Sequence, residues 1–379
     1  MLPVAKLQPA LDAERWIVAS YRVHGTAETI DARAQAIALE QSVELPLEAV
    51  DDSRVLRDVL AQVVDIEPAG PETFTVTIRL AAETTGFEAG QLLNMLFGNT
   101  SLQDDVALVD VDVPAIFAAR FRGPRFGIAG IREITGAHDR PLTCSALKPQ
   151  GLTTAQHAAL ARTLAHARID VIKDDHGLAD QAIAPFAARV REVQRAVDAV
   201  NREIGGRTVY APSLGGDYEH MRKQVAYARE CGVRMLLIAP MVTGVAALAA
   251  LARDAHMPII AHPALAGAMR IAPPLLLGRL FRLFGADATI FPNAGGRFSY
   301  TLDTCAGIAD AARAPWHRLA PMLPVPAGGM SVERVPEMRA RFGDDVMLLV
   351  GGSLLAAGDH LLARCREFVD AVQARAGNG

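Results

Sequence analysis

The sequence predicts an α/β protein in which a C-terminal (β/α)8 TIM barrel follows an N-terminal α+β domain of the ferredoxin-like kind. Two patterns support this fold class. From about residue 140 onward, short apolar runs alternate with helical stretches rich in Ala, Leu and Arg. The first third instead carries strand patterns with interspersed helices. The 379 residues suffice for about two domains, which we expect at 1–130 and 131–379.

Composition narrows the possible partners and compartment. The chain is 51% hydrophobic and 21% charged, as in ordinary globular proteins, and its net charge of −4 gives no reason to expect nucleic acid or an acidic membrane surface as a partner. The four cysteines are far apart and form no CxxC pair, which favours a reducing cytoplasm. We see neither a signal peptide nor an apolar run long enough to span a membrane.

The N-terminal third is expected to form an open antiparallel sheet covered on one face. The predicted strands are 16–22, 55–66, 73–80 and 106–113, with a turn at 67–72 and helices at 30–40 and 90–97. Glu40 lies at the end of the first helix and Asn99 just past the second. Taken alone, Glu40 could be a solvated side chain and Asn99 a helix cap.

The remainder reads as a strand–helix repeat. The apolar runs are 142–147, 169–172, 208–211, 235–238, 258–261, 288–291, 323–326 and 347–350. Eight such units in about 240 residues match the size of a (β/α)8 barrel. A doubly wound open sheet is the alternative, but it would usually have fewer strands and a GxGxxG after the first one. Here Lys148-Pro149-Gln150-Gly151 follows the first strand instead.

The chemistry is predicted at the end of the second barrel strand, where Lys173, Asp174, Asp175 and His176 follow an apolar run. Such charges are costly at a buried strand end unless they pair or hold a metal. Lysine is scarce: of the 38 basic residues only four are lysine, namely Lys6, Lys148, Lys173 and Lys223. Because lysine can lose its proton or gain a carbon and arginine cannot, Lys148 and Lys173 indicate amine chemistry. Chance placement at two strand ends is the alternative.

Polar and glycine residues follow other strands at the same end of the barrel, where barrel enzymes have their sites. The pairs Gly328-Gly329 and Gly351-Gly352, the latter followed by Ser353, come after the last two strands, where such enzymes commonly bind phosphate through backbone N–H groups. Each pair alone could be a turn. His262 follows the fifth strand and is either a satisfied core residue or catalytic; His176 is either a metal ligand or a partner of one.

The ordered set of these residues resembles the RuBisCO large-subunit superfamily. The run 170–176 is similar to the family's G-x-D-F-x-K-x-D-E signature, and Leu147-Lys148-Pro149 to the segment carrying its first catalytic lysine. Other positions match in order along nearly the whole chain: Glu40 and Asn99 in the N-domain, His262 as the catalytic histidine, and the two glycine pairs as phosphate ligands.

Four departures from the family pattern point away from a carboxylase. His176 stands where the third metal ligand is Glu, which moves preference toward softer divalent metals. Gln150 replaces the second lysine of K-P-K, and Pro263 replaces an arginine that holds the second phosphate. Arg297 replaces the mobile-loop lysine that positions CO2 and remains a candidate substrate contact. The chain is therefore similar to the RuBisCO-like proteins of form IV.

The resemblance implies a metal-dependent enzyme that enolises or isomerises a phosphorylated keto-sugar. Lys173 would be carbamylated by CO2, and the carbamate, Asp175 and His176 would hold Mg²⁺ or Mn²⁺. Lys148, His262 or the carbamate would act as base. The glycine pairs would anchor one phosphate, so ribulose bisphosphate would be a poor substrate or none.

Three alternatives stay open at this stage. One is transcarboxylation or carbon–carbon cleavage of a branched sugar-acid phosphate such as 3-oxo-isoapionate 4-phosphate. Another is Schiff-base chemistry at Lys173 or Lys148 without a metal. The last is a noncatalytic barrel that binds a phosphorylated metabolite. The family also builds its site from two chains, which implies a homodimer, or a multiple of dimers, in which Glu40 and Asn99 act in trans.

Overall fold

A computed structural model describes residues 13–296 and 298–374, and it divides the chain into two compact units. The first unit extends to Phe121 and also contains Gly267–Leu275; the second comprises Arg122–Ala266 and the chain from Leu276 onward. The barrel unit therefore begins before residue 131, where we placed the domain boundary. Across the described ranges, no helix combines the length and apolar character needed to cross a membrane.

The first unit is built on a four-stranded antiparallel sheet with the order β2-β3-β1-β4. Its strands and helices are β1 (Trp16–His24), α1 (Ile30–Glu40), α2 (Ser53–Asp58), β2 (Gln62–Gly70), β3 (Thr73–Ala81), α3 (Ala89–Phe97), β4 (Val106–Asp112) and α4 (Ala115–Ala118). Along β1, buried residues alternate with less buried ones, because successive side chains of a strand point to opposite faces. The predicted open antiparallel sheet is confirmed.

One predicted strand is wrong over its first part. Residues 53–58 form helix α2, and β2 begins only at Gln62. The helix starts at this point because the Asp52 carboxylate accepts a hydrogen bond from the Arg54 N–H at 2.7 Å, which satisfies one of the free donors of the first turn. The predicted turn at 67–72 is also shorter than expected, since β2 continues to Gly70.

The second unit is an eight-stranded parallel barrel with the order β7-β6-β5-β12-β11-β10-β9-β8. Its strands are β5 (Leu142–Leu147), β6 (Val171–Asp174), β7 (Val209–Ala211), β8 (Leu236–Ile238), β9 (Ile259–Ala261), β10 (Ala288–Pro292), β11 (Leu323–Ala327) and β12 (Met347–Leu349). All eight predicted strands are present, each within a few residues of its expected range. The barrel prediction is confirmed.

One helix, α5, precedes the first barrel strand, and the other helices of this unit follow strands. They are α5 (Gly127–Thr135), α6 (Thr154–His166), α7 (Phe186–Ile204), α8 (Tyr218–Glu230), α9 (Pro240–Thr243), α10 (Val245–Asp254), α11 (Phe281–Leu283), α12 (Leu302–Arg313), α13 (Val335–Phe342), α14 (Gly352–Leu355) and α15 (Leu361–Gln373). A π-helical turn, Pro274–Leu280, leads into α11. Polar side chains start several of these helices; Thr153 and Gln156, for example, form a reciprocal capping box at α6.

Inward-facing apolar side chains fill the barrel. Leu142, Cys144, Val171, Leu237 and Ile260 belong to one buried cluster contributed by the strands. Between β7 and β8, the barrel closes through a single parallel bridge, Ser213 to Leu237, and the hydrogen bonds beside it. Below, we call this place the β7–β8 seam.

Candidate active site at the carboxyl end of the barrel

Strand β6 presents its polar residues on opposite faces. Because side chains alternate along a strand, Lys173 and Asp175 point to one side and Asp174 to the other. All three side chains are buried. The strand thus separates a structural carboxylate from a carboxylate that lies beside the lysines.

Asp174 is fully occupied by partners outside the barrel interior. Its carboxylate accepts hydrogen bonds from Arg189 Nε on α7 at 3.1 Å, from the Tyr210 hydroxyl on β7 at 2.7 Å and from the Ser213 N–H at 3.1 Å. The side chains of Asp174 and Arg189 are both completely buried. Of the two possibilities raised for the charges at this strand end, pairing or holding a metal, Asp174 takes the first, because its charge is neutralised by Arg189.

Asp175 lies beside two other residues predicted to be functional, Lys148 and His176. One of its carboxylate oxygens lies 3.2 Å from Lys148 Nζ and 3.3 Å from His176 Nδ1. Burial alone would raise the pKa of Asp175, but the His176 hydrogen bond and the positive charges of Lys173 and Lys148 outweigh it and hold this pKa well below its usual range. Asp175 is therefore ionised at any pH at which the protein is expected to work.

Lys173 is a buried amine with few partners. Its Nζ donates to the carbonyl oxygen of Asp174 at 2.7 Å, and only 3% of the residue is exposed. Burial lowers the pKa of Lys173, and this effect exceeds the opposing attraction of nearby anionic groups such as Asp175. A lysine with a lowered pKa offers a larger fraction of neutral, nucleophilic amine.

The two predicted histidines stack on each other at the mouth of the barrel. The rings of His176 and His262 are nearly parallel, with centroids 4.0 Å apart. Burial, together with the positive charge of Lys173, lowers the pKa of His262 to about 2, so its ring is neutral. His262 Nδ1 accepts a hydrogen bond from the Ala264 N–H at 3.1 Å, which leaves the ring hydrogen on Nε2.

The donor set fits a metal only when Lys173 carries a carboxyl group. In the part of the chain that the structure describes, no three His, Cys, Asp or Glu side chains converge on one metal position. Asp175 and His176 could offer two ligands side by side, and a carbamate on the buried amine of Lys173 would offer a third with a negative charge. Oxygen ligands of this kind suit Mg²⁺ or Mn²⁺.

The predicted phosphate ligands lie on neighbouring strands. Gly328 and Gly329 follow β11, and Gly351 and Gly352 follow β12, which pairs with it. Ser353 donates its hydroxyl hydrogen to the carbonyl oxygen of Met330 at 2.9 Å, and so links the two loops. Arg297, the last predicted substrate contact, lies outside the described residues.

Glu40 and Asn99 come together in the first unit. Asn99 Nδ2 donates to Glu40 Oε1 at 2.9 Å and to Glu44 Oε1 at 3.0 Å. Asn99 starts a short 3-10 turn, while Gly98 caps α3, so the alternative reading of Asn99 as the cap is wrong. The two predicted N-domain residues therefore form one polar group.

Some residues at these sites were not identified from the sequence. Arg189 and Tyr210 could have been sought, because strand alternation already placed Asp174 opposite Asp175. Glu44 had only its proximity to Glu40 as a signal. Arg334, described below, binds backbone carbonyl groups, which leave no trace in the sequence.

A parallel barrel with paired lysine, carboxylate and imidazole groups at its carboxyl end defines an enzyme-type site, and comparison with known proteins gives its family. Residues 127–365 match the family model "Ribulose bisphosphate carboxylase large chain, catalytic domain". The chain belongs to this family, and within it to the RuBisCO-like proteins.

Its relatives include named isomerases and enolases. A 5-methylthioribulose-1-phosphate isomerase from Rhodospirillum rubrum is 53% identical over 95% of this chain and 97% of that protein. A 2,3-diketo-5-methylthiopentyl-1-phosphate enolase from Geobacillus thermodenitrificans is 32% identical over 94% and 92%. The crystal structure of a RuBisCO-like protein from Rhodopseudomonas palustris superposes with a TM-score of 0.91 at 48% identity, covering 97% of this chain and 100% of that one.

Proposed function

We propose that this chain is an enzyme that enolises and isomerises a phosphorylated ketose, with 5-methylthioribulose 1-phosphate as the first substrate to test. The observation that carries the proposal is the cluster in which buried Lys173 lies beside ionised Asp175, Lys148 and a neutral His262. The 53% identity to a named isomerase of that substrate supports the choice. The four free thiols suit a cytoplasmic enzyme.

Lys173 is the residue we assign to carbamylation. CO2 reacts with a neutral amine, and burial lowers the pKa of this one. The carbamate, Asp175 and His176 would then hold Mg²⁺ or Mn²⁺. When bound, the cation supplies Lewis-acid stabilisation of the negative charge that develops on the substrate oxygens.

His262 is assigned as a hydrogen-bond donor. Since Nδ1 accepts from the Ala264 N–H and the neutral ring carries its hydrogen on Nε2, the ring has no free lone pair with which to remove a proton. A neutral imidazole can instead polarise a substrate oxygen without contributing a full charge. This argument leaves Lys148 or the Lys173 carbamate as the base.

Lys148 is the group we assign to removal of the proton next to the substrate carbonyl. Its Nζ is positioned by Asp175 at 3.2 Å, and its side chain is about one-third exposed, so a ligand can reach it. General-base catalysis requires Lys148 in its neutral form, so the ion pair with Asp175 must be released before the proton is removed, as it would be if Asp175 became a metal ligand.

The glycine pairs after β11 and β12 are assigned to one phosphate, because glycine lets backbone N–H groups approach an anion closely. Pro263, after β9, offers no charge for a second phosphate. The site therefore favours a monophosphate over a bisphosphate.

We further propose a homodimer in which Glu40 and Asn99 of one chain complete the site of the other. Their mutual hydrogen bond supports a shared role. The arrangement follows the family resemblance and is tested at the scale of the whole molecule below.

The test measures proton exchange and product formation by the purified protein. The protein is first incubated with bicarbonate and Mg²⁺. With 5-methylthioribulose 1-phosphate in D2O, we expect deuterium to enter next to the carbonyl and a new phosphate ester to appear by ³¹P NMR. Lys173→Met should abolish both, whereas Lys223→Met, which changes an exposed lysine on α8, should not.

Three outcomes would count against the proposal. Absence of exchange and product would leave a phosphometabolite-binding barrel. Covalent trapping of the substrate by borohydride would indicate Schiff-base chemistry instead. Efficient carboxylation of ribulose 1,5-bisphosphate would contradict the single-phosphate site.

A further inference from the structure

The loop after β10 and the loop after β11 touch through their backbones. A Cβ atom added at Gly329 would overlap the Cα of Gly296, and one added at Gly296 would lie 3.0 Å from the Gly328 carbonyl oxygen. Gly328 and Gly329 have φ values of +76° and +64°, which side chains disfavour. This contact, which we call the glycine contact, therefore requires glycine at 329 and leaves little room for a side chain at 296.

Arg334 joins the same two loops through a single nitrogen. Its Nη1 donates to the Gly329 carbonyl oxygen at 2.8 Å and to the Ala294 carbonyl oxygen at 3.2 Å. The first acceptor belongs to the loop after β11 and the second to the loop after β10. The guanidinium group thus spans the glycine contact.

Glu337 fixes the other side of the guanidinium group. Arg334 Nε and Nη2 each donate to one oxygen of the Glu337 carboxylate at 3.1 Å, a bidentate pair that sets the plane of the group. Arg334 ends the short 3-10 turn Val332–Arg334, at the far end of the loop after β11, and Glu337 lies on α13, so the ion pair fixes the arginine to the first turn of that helix.

The loop after β12 is connected to this arrangement as well. Ser353 donates to the Met330 carbonyl oxygen at 2.9 Å, and the Asn293 N–H donates to the Ala327 carbonyl oxygen at 2.8 Å. Three consecutive loops at the carboxyl end of the barrel are therefore tied together by bonds that need no ligand.

We propose that Arg334 is a positioning residue that holds the loop after β10 against the glycines after β11, so that the anion site is assembled before substrate arrives. We call the set of bonds from Arg334 to the two loops the clamp. The identity of the anion rests on the proposed function, whereas the clamp itself does not. A loop that is already ordered loses less conformational entropy on binding, which strengthens affinity.

Four variants distinguish the effect of losing the bonds to the two loops from the effect of losing an ion pair. Arg334→Gln removes the charge and the two-loop bridge, while Arg334→Lys keeps a charge that can reach a carbonyl group. Glu337→Gln loosens the anchor alone. Arg222→Gln is the matched control, because Arg222 pairs with Glu219 at the same three-residue spacing on exposed α8 and binds no loop carbonyl.

The measurements are hydrogen exchange of segment 293–296, the dissociation constant for inorganic phosphate, and KM and kcat for the phosphorylated ketose. In Arg334→Gln we expect exchange to rise by about tenfold and phosphate to bind about tenfold more weakly. KM should rise more than kcat falls. Arg334→Lys should recover part of each effect, and Arg222→Gln should match the wild type.

Two results would overturn the proposal: unchanged exchange in folded Arg334→Gln, or faster exchange with phosphate affinity and KM within about twofold of the wild type. The second result would mean that the clamp orders a loop that the anion does not use. If the wild-type protein neither binds phosphate nor turns over the ketose, the proposed function fails, while the exchange measurement still decides whether Arg334 orders the loop.

Discussion

At the residue scale, the neighbours Lys173 and Asp174 differ in how their buried charges are bonded. Lys173 is a buried amine whose only hydrogen bond among the described residues is to a carbonyl oxygen, whereas Asp174 is saturated with donors. A buried charge that lacks a bonded counter-charge destabilises the fold, and one that is fully paired is costly to unpair. The same strand therefore carries a residue whose burial weakens the fold and a residue whose unpairing would weaken it.

Replacing Lys173 should stabilise the protein while it abolishes activity. The folded-state pKa of Lys173 lies below its unfolded value, so the unfolded chain binds the proton more readily, and wild-type stability rises with pH in the window below 10.5. We expect Lys173→Met to raise the free energy of unfolding by about 1–2 kcal/mol at neutral pH, and the gain to shrink as pH increases. Thermal midpoints from pH 6 to 9, without bicarbonate, test this; a variant less stable than the wild type at pH 7 would contradict it.

Asp174→Asn and Asp175→Asn should fail in different ways. Asp174→Asn leaves the Arg189 charge buried without its counter-charge, which costs about 3–5 kcal/mol. Asp175→Asn leaves Lys148, which is about one-third exposed and solvated, so stability falls less while turnover is lost. The two variants are compared by their denaturation midpoints and by their turnover. Equal destabilisation would show that the two carboxylates are not divided in this way.

The grouping of several predicted site residues could be anticipated from the sequence, because strand alternation and strand order fix where side chains lie. Lys148, Lys173, Asp175, His176 and His262 meet at one end of the barrel, as strand ends in a parallel barrel must. Strand alternation predicts that Asp174 and Asp175 point to opposite faces. That Asp174 is paired with Arg189, 15 positions away, is visible only in the structure. Arg334 could not be predicted, because it recognises main-chain oxygens.

At the element scale, the barrel strands were predictable and the short helix α2 was not. The eight strands are short, apolar and buried on both faces, a pattern that few other structures share. In 53–58 the apolar Val55 and Leu56 favoured a strand, but the Asp52 cap starts a helix at that point. One side-chain hydrogen bond outweighed a weak propensity.

Asp287, at the start of β10, joins elements that are distant in sequence. Its Oδ1 accepts from the N–H groups of Phe126 and Gly127 at the start of α5, at 2.7 and 2.8 Å, and its Oδ2 accepts from the Ile259 N–H of β9 at 2.9 Å. A single carboxylate therefore satisfies donors of a helix and of a neighbouring strand.

Asp287→Asn should destabilise the barrel by about 2–3 kcal/mol, because the amide replaces one acceptor oxygen with a donor and leaves a buried N–H unsatisfied. Thermal unfolding measures the loss. Asp303→Asn, an exposed change in the first turn of α12, is the control and should alter stability by less than about 0.5 kcal/mol. Similar midpoints for the two variants would show that the Asp287 contacts contribute little.

At the scale of the whole molecule, two compact units each carry part of the predicted site. Glu40 and Asn99 lie in the first unit, and the lysines, Asp175 and the histidines in the second. The order of these landmarks along the chain allowed the family to be predicted from the sequence. The pairing of chains could not be derived from the residues themselves and came only from the resemblance.

Mixed dimers of Glu40→Ala and Lys173→Ala chains should recover activity. If the site is shared between chains, each mixed dimer has one site with both residues intact and one with neither, so we expect about half the wild-type turnover per mixed dimer. Turnover is measured after the two inactive variants are co-expressed and the mixed species is purified through two different tags. No recovery in a verified mixed dimer would place the whole site within one chain.

The β7–β8 seam is one of two places where neighbouring barrel strands share a single register pair, the other being β11–β12, and it lies beside the predicted site. The stacked His176 and His262 follow β6 and β9, the strands that flank β7 and β8, so the two rings bridge the seam from above. Strand pairs with few shared hydrogen bonds open before the rest of a fold. On heating, we therefore expect the two imidazole rings to separate before the surrounding helices unfold. The temperature at which activity is lost should lie below the midpoint of helix unfolding measured by far-UV circular dichroism.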